Sequence, residues 1–300
     1  MTPKTCIIIL GPTASGKTAL AIALAQHFKT SIISADSRQC FKELNIGVAK
    51  PSSAELQIVP HYFIDTHSIN DAISAADFEK YALEKVATIF EKNDIVIMCG
   101  GTGLYIKAFC EGLDDIKPID SAIRERWNKA YEQNGLAWLQ HQIQEIDPLF
   151  YEKGEIHNPH RILRALEVKE GTGISILLQQ KKQPKQRPFN ILKFGMELPR
   201  AVLYQQINDR VVGMRKAGLT NEVQQLLPYK SLNALQTVGY RELFNFFEGQ
   251  INEDKAYELI QQNTRHYAKR QLTWFKKDAS VHWVNPTDAF INIITLLPKI

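Results

Sequence analysis

The segment Gly11-Pro12-Thr13-Ala14-Ser15-Gly16-Lys17-Thr18 fits G-x-x-x-x-G-K-[ST] at every position. Its surroundings give the pattern weight. Residues 6–10 form a short continuous apolar run, as expected of a parallel strand buried on both faces. The alanine-rich stretch from about Lys17 to Phe28 is apolar nearly all round, so a helix there must be buried on more than one side. Strand, glycine loop and helix in this order converge backbone N–H groups on one spot, where an anion is favoured. Gly11 and Gly16 permit dihedrals that a Cβ resists. Lys17 adds a point charge for terminal phosphates, and the Thr18 hydroxyl can ligate Mg²⁺. A plain strand–helix turn would leave Lys17 unexplained.

The alternation continues. Residues 31–34 read as a second strand. Ser74-Ala75-Ala76-Asp77 is a capping box opening a helix to about Lys92. A third strand, 95–99, ends in Gly100-Gly101-Thr102-Gly103. Strands alternating with helices predict an open parallel α/β sheet, with ligands beyond the carboxyl ends of the strands. Three loops fall there: 11–18, 35–39 and 100–103. From about 114 to 180 nothing reads as a strand, and Asn158-Pro159 marks an N-cap and first turn for a helix over 160–169. Linker-like flanks at 113–119 and 181–188 bound that region. The prediction is an α/β fold: a P-loop NTPase-like open parallel sheet core (1–113 and 188–300) with a helical insertion domain (114–187). Residues 191–198 add one more strand. The rest reads as helical, notably 200–217, closed by Gly218, and 252–277.

Composition sets the class. At 300 residues, 44% hydrophobic and 23% charged, the chain is ordinary for a globular protein. Collagenous, disordered and low-complexity classes are excluded. No apolar run approaches the ~18 residues of a membrane span, and the start lacks signal-peptide features, so a cytoplasmic protein with no membrane partner is expected. Cys6, Cys40, Cys99 and Cys110 form no CxxC pair and no zinc spacing, and Cys6 and Cys99 read as buried small hydrophobes. The net charge of +4 is unevenly spread. Residues 181–193 hold Lys181, Lys182, Lys185, Arg187 and Lys193 with no acid; residues 261–280 hold Arg265, Lys269, Arg270, Lys276 and Lys277 against Asp278 alone. The remainder is mildly acidic, so the basic stretches suggest a polyanionic partner at a defined place, unless they are merely solvated faces.

The phosphate loop names a diphosphate or triphosphate, not a reaction. A kinase or NTPase would hold a nucleotide with it; a transferase expelling pyrophosphate would stabilise its leaving group. Asp36, just after the second strand, reads as a turn aspartate or as a metal-bound carboxylate or general base. Position beside the loop favours the functional choice. Gln39 is a polar loop residue whose amide could also pair with an adenine edge.

Seven segments in order carry a resemblance: GPTASGKT (11–18), ADSRQ (35–39), IGVAKP (46–51), GGTGLY (100–105), NPHRILRALEV (158–168), GYRE (239–242) and TRHYAKRQLTWF (264–275). Together they resemble the bacterial tRNA dimethylallyltransferase family, also called the isopentenyl-tRNA transferase or IPP transferase family. The resemblance implies transfer of the five-carbon group of dimethylallyl diphosphate to N6 of the adenosine just 3′ of the tRNA anticodon, releasing pyrophosphate, with Mg²⁺ as cofactor. It implies a P-loop core, a helical insertion contacting tRNA, the anticodon stem-loop as partner, and a monomer. Loop 11–18 would hold the diphosphate, with Lys17 and Thr18 acting through charge and metal. Asp36 would contact the N6 amine as acceptor and base, and Arg210 would help neutralise the diphosphate. Ser37, Arg38, Gln39, Thr102 and Arg124 match positions that touch tRNA. His160, Arg161, Ile162, Leu163 and Arg164 of the insertion helix, Gly239, Tyr240 and Arg241, and Arg265, Lys269 and Arg270 complete the expected RNA contacts.

Arg161 and Arg164 stand at i, i+3; Arg265 and Lys269, and His266 and Arg270, at i, i+4. Tyr267, Trp274 and Phe275 interleave with the basic groups, and core packing is the expected use of Trp274 and Phe275. Cys40-Phe41, Val48 and Pro60-His61-Tyr62-Phe63 depart from the commonest family pattern, and none removes a charged or phosphate-binding group. A nucleotide or nucleoside kinase would explain the loop and the insertion but not the AKRQLTW segment. An RNA-remodelling ATPase would need a Walker-B acid where residues 95–99 instead lead into Gly100-Gly101.

Overall fold

The computed structural model describes residues 4–114, 116–180 and 183–296. Lys181 and Lys182 of the expected linker lie outside the described residues. The chain divides into two compact units, one running up to Glu111 and resuming at Gln186, the other spanning Gly112–Lys185.

The first unit begins β1 (Thr5–Leu10), α1 (Lys17–His27), β2 (Ile32–Ala35), α2 (Ser53–Ile58), β3 (His61–Tyr62), α3 (Ala75–Phe90), β4 (Ile95–Gly100) and α4 (Gly103–Glu111). The second unit is α5 (Ser121–Ile146), α6 (Pro148–Lys153), α7 (Pro159–Thr172) and α8 (Ile176–Gln179). The first unit resumes with β5 (Asn190–Met196), α9 (Arg200–Lys216), α10 (Leu219–Gln225), α11 (Tyr240–Phe247), α12 (Glu253–Phe275), β6 (Val281–Val284) and α13 (Ala289–Leu296).

The sheet has six strands in the order β3-β2-β4-β1-β5-β6, all parallel. The apolar run of β1 is buried throughout because both faces are covered. Cys6, Ile8 and Leu10 join one core, Ile7 and Ile9 the other. Each fully buried isoleucine stabilises by about 1.5–3 kcal/mol. The register aligns Leu10 with Gly100 and Gly195, and Ala35 with Gly100. The loops that start at residues 11, 36 and 101 therefore emerge side by side at the carboxyl edge.

Two strands went unread in the sequence. β3 has only two residues, and β6 lies in a region expected to be helical. Both sit at the sheet's edges, where a short segment needs only one neighbour and shows little periodicity. The Ser74/Asp77 capping box opens α3 as expected, and Asn158 caps α7 through its side chain with Pro159 in the first turn.

Among its described residues the second unit has helices and no strand. α5 is broken at Gly135 and packs on α7 around Trp127, Leu139, Ile143, Phe150, Ile162 and Leu166. Ile162 and Leu163 are buried in this core. That corrects their expected place among RNA contacts: they lie on the apolar face of α7, while His160 and Arg161 are exposed.

Candidate functional site

The phosphate loop adopts the geometry its glycines allow. Gly16 caps α1 at φ 83°, a conformation that a Cβ strains, and Ala14 is also left-handed at φ 62°. The Lys17 ammonium donates to the Pro12 carbonyl at 2.5 Å. Burial pushes the Lys17 pKa down to about 8, with the charge of Arg210 acting in the same direction and Cys99 and Asp36 opposing it. The Ser15 hydroxyl is buried and, among the described residues, has no hydrogen-bond partner. A loop that concentrates positive charge at a cost in protonation is built to receive negative charge.

Two distant side chains fix this loop. Arg210 of α9 donates through Nη1 to Thr13 Oγ1 at 3.2 Å. Gln271 of α12 accepts the Thr13 N–H at 2.8 Å and donates through Nε2 to the Gly101 carbonyl at 2.9 Å. Gly101 tolerates that amide because it has no side chain; a Cβ there would overlap Nε2. Thr102 accepts the Ser37 N–H at 3.0 Å, tying the loop after β4 to the loop after β2.

Asp36 stands at the end of β2 in an Asx turn. Its Oδ1 accepts the N–H groups of Arg38 at 2.9 Å and Gln39 at 3.3 Å. The turn reading is therefore true of one oxygen, and the carboxylate still lines two adjoining cavities. One, of about 270 Å³, runs along Gly16, Lys17 and Thr18 past Ile32, Val48, Pro51 and Ile64. The other, of about 310 Å³, runs along Ser37, Arg38, Gly47, Gly239, Arg241 and Arg270. They share Thr13, Asp36, Val48, Ala49, Arg210 and Tyr267. One cavity thus ends on the phosphate loop with an apolar flank, the other is rimmed by arginines, and Asp36 and Arg210 stand where they meet.

Several expected contacts take other roles. The Gln39 amide is engaged within the chain: Oε1 accepts from Ser34 Oγ at 3.0 Å, and Nε2 donates to the carbonyls of Val48 and Ala49 at 3.3 and 3.1 Å. Gln39 thereby builds the wall formed by residues 46–51 instead of offering a free adenine-pairing edge. Tyr240 is fully buried, and its hydroxyl donates to Glu222 at 2.6 Å. The same carboxylate accepts the N–H groups of Ile46 and Gly47 at 2.7 and 3.1 Å. Tyr240 and Glu222 together hold the 46–51 segment from behind, so Tyr240 is no surface contact. Arg265 donates to Asn208 at 2.7 Å, braced against α9 and outside both cavities. Lys269 and Arg270 are exposed, and Arg270 lies over Tyr267 at 5.8 Å. Trp274, expected in the core, is 41% exposed, whereas Phe275 is buried. Cys99, expected to be buried, lines the phosphate cavity near Lys17. In the second unit, Arg124 and Arg164 both pair with Glu167.

Gln271, Glu222 and Glu167 were not expected to matter. Gln271 lies inside the AKRQLTW segment, but its role depends on Thr13, 258 residues away. Glu222 reads locally as an acid in a first helical turn.

An all-parallel sheet with a glycine loop of P-loop sequence after its central strand, and a carboxylate and an arginine converging beside it, defines a P-loop-type α/β core. The profile of the IPP transferase family matches residues 39–278, and the chain belongs to that family. It is 48% identical over 279 residues to a tRNA dimethylallyltransferase of Christiangramia forsetii, covering 92% of each chain. It is 45% identical over 283 residues to one of Cytophaga hutchinsonii, covering 94% of this chain and 93% of that one. Among solved structures it is similar to the tRNA isopentenylpyrophosphate transferase of Bacillus halodurans, with a TM-score of 0.71, 32% identity, and 97% and 95% of the two chains covered. No helix among the described residues is long and apolar enough to cross a membrane.

Proposed function

We propose that this chain is a tRNA dimethylallyltransferase, joining the dimethylallyl group of dimethylallyl diphosphate to N6 of the adenosine 3′-adjacent to the anticodon. The observation that carries this reading is the junction of two cavities at Asp36 and Arg210. A diphosphate on the loop would send its short apolar tail along Ile32, Val48 and Ile64. An adenine turned out of the anticodon loop would enter from the arginine-rimmed side.

The chemistry then divides between the two ends. The allylic C1–O bond breaks with its electron pair leaving on pyrophosphate, so charge develops on oxygens that face the loop N–H groups, Lys17 and Arg210. The purine N6 is a weak nucleophile, its lone pair delocalised into the ring. The Asp36 carboxylate orients the amine and accepts its proton as the N6–C1 bond forms. Thr13 links the ends, since it meets both Arg210 and Gln271.

The residues also fit a divalent cation carried in with the substrate. Mg²⁺ keeps several waters and takes phosphate oxygens with few protein ligands. Thr18, at the start of α1 in the phosphate cavity, offers the hydroxyl such an ion uses. When bound, the ion supplies further charge neutralisation at the leaving group.

A kinase reading leaves the AKRQLTW part of α12 unexplained, where Gln271 bonds both Thr13 and Gly101. The deciding experiment incubates unmodified tRNA with radiolabelled dimethylallyl diphosphate and Mg²⁺, and follows ATP turnover in parallel. Label in RNA without ATP turnover is expected. Phosphate transfer from ATP with no labelled RNA would overturn the reading.

A further inference from the structure

Two carboxylates stand one turn apart on α7 of the helical unit, and both meet arginines of α5. Glu170 pairs with Arg126 and accepts the Trp127 indole N–H at 2.8 Å. Glu167 differs. Its side chain is only 8% exposed, and its two oxygens hold two guanidinium groups: Oε2 takes Arg124 Nε at 3.2 Å and Oε1 takes Arg164 Nη1 at 2.7 Å. Among the described residues neither guanidinium has another polar partner. Each is held at one nitrogen, and their side chains are 59% and 38% exposed. Arg164 also lines a surface cavity with Lys153, Asn158, His160 and Arg161 near the positive end of the α7 dipole, with Glu155 the lone acid in that lining.

A buried acid under exposed cations is a poor device for stability alone, since α5 and α7 already share an apolar core and the Glu170 contacts. It is an effective device for presentation. A free arginine loses much rotamer freedom on meeting a phosphate; one anchored beforehand has already lost it. We propose that Glu167 is a positioning residue that presents Arg124 and Arg164 as one preorganised fork to the phosphates of RNA. This rests on the tRNA-modifying reading above, and it inverts the simple electrostatic expectation, in which removing an acid tightens a polyanion.

The test measures binding of an anticodon stem-loop RNA to the full chain across a salt series, with thermal unfolding alongside. Glu167→Gln is expected to weaken binding by roughly tenfold, the cost of freeing two arginines. The salt slope should fall by about one as a phosphate contact is lost. Glu170→Gln, which removes an equal charge from the same helix, should leave affinity unchanged or slightly tighter. A folded Glu167→Gln protein that binds as tightly as the parent overturns the proposal. Glu167→Asp keeps the charge but is too short to span both arginines. If the Gln variant does not fold, Asp should still weaken binding by roughly threefold, and unchanged affinity would overturn the idea. Arg124→Ala and Arg164→Ala separate the two layers. If they bind RNA normally, the arginine contacts themselves are wrong and the proposal falls with them. If they bind weakly while Glu167→Gln does not, the contacts stand and only the positioning role fails.

Discussion

The Gln271 side-chain amide accepts the backbone N–H of Thr13 at 2.8 Å, so a residue of α12 holds the third residue of the phosphate loop. Its nitrogen reaches the Gly101 carbonyl at 2.9 Å, and the two bonds tie β1 and β4 loops to one helix. Losing both frees the Thr13 N–H and the Gly101 carbonyl in a largely buried place, at about 1–3 kcal/mol for each unsatisfied group. Gln271→Leu is expected to raise KM for dimethylallyl diphosphate and lower kcat by roughly tenfold, with RNA affinity unchanged. Steady-state kinetics on a variant whose unfolding temperature shows it folded would check this. Unaltered kinetics would make the bridge structural only.

Asp36 carries a sharper expectation. Its Oδ1 already accepts two backbone N–H groups, so Asp36→Asn should keep the turn roughly in place while losing the base. Turnover should drop by ~10²-fold or more with tRNA affinity nearly constant. Turnover within a factor of ~3 of the parent would refute the base assignment.

Lys17 makes a pH prediction. Burial lowers its pKa to about 8, so in the ligand-free protein it sheds its proton well below the ordinary lysine range. Only the charged form attracts a diphosphate. Pyrophosphate affinity should therefore fall as pH rises through about 8, losing up to tenfold per unit. The sign for stability is opposite: the unfolded chain holds this proton more tightly, so stability rises with pH between the folded and unfolded values. Calorimetric titration of pyrophosphate at several pH values, with Lys17→Met as the flat control, tests it. A pH-independent affinity in the parent would mean that Lys17 stays charged.

Lys269 and Arg270 are exposed on α12, and Arg270 rims the cavity opposite the phosphate loop. Neutralising both should weaken tRNA binding and lower the slope of log affinity against log salt by up to about two. Filter binding across a salt series measures this. An unchanged slope would return them to a solvated face.

How much of this was legible beforehand follows from the range of the interactions. The phosphate loop, the capping box at Ser74 and the Asn158-Pro159 helix start are contiguous signals, readable because local backbone geometry dictates their residue types. Parallel β1 was readable for the same reason: burial on both faces demands an unbroken apolar run. The edge strands were not, since β3 has only two residues and β6, with β5 as its one neighbour, has no unbroken apolar run. Gln39, Tyr240, Ile162 and Leu163 stood in recognisable segments, yet their places in a segment did not say which way they face. Tertiary packing turned Gln39 and Tyr240 into supports for the 46–51 wall and sank Ile162 and Leu163 into a helical core.

By itself the sequence determined the α/β alternation, the anion-binding loop and, through resemblance, the family. Only the tertiary structure decided which polar side chains meet the substrates and which hold others in place. Gln271, Glu222 and Glu167 act on partners 258, 176 and 43 residues away. Such contacts exist only once the sheet register and helix packing bring the partners together, because hydrogen bonds and ion pairs act over a few ångströms.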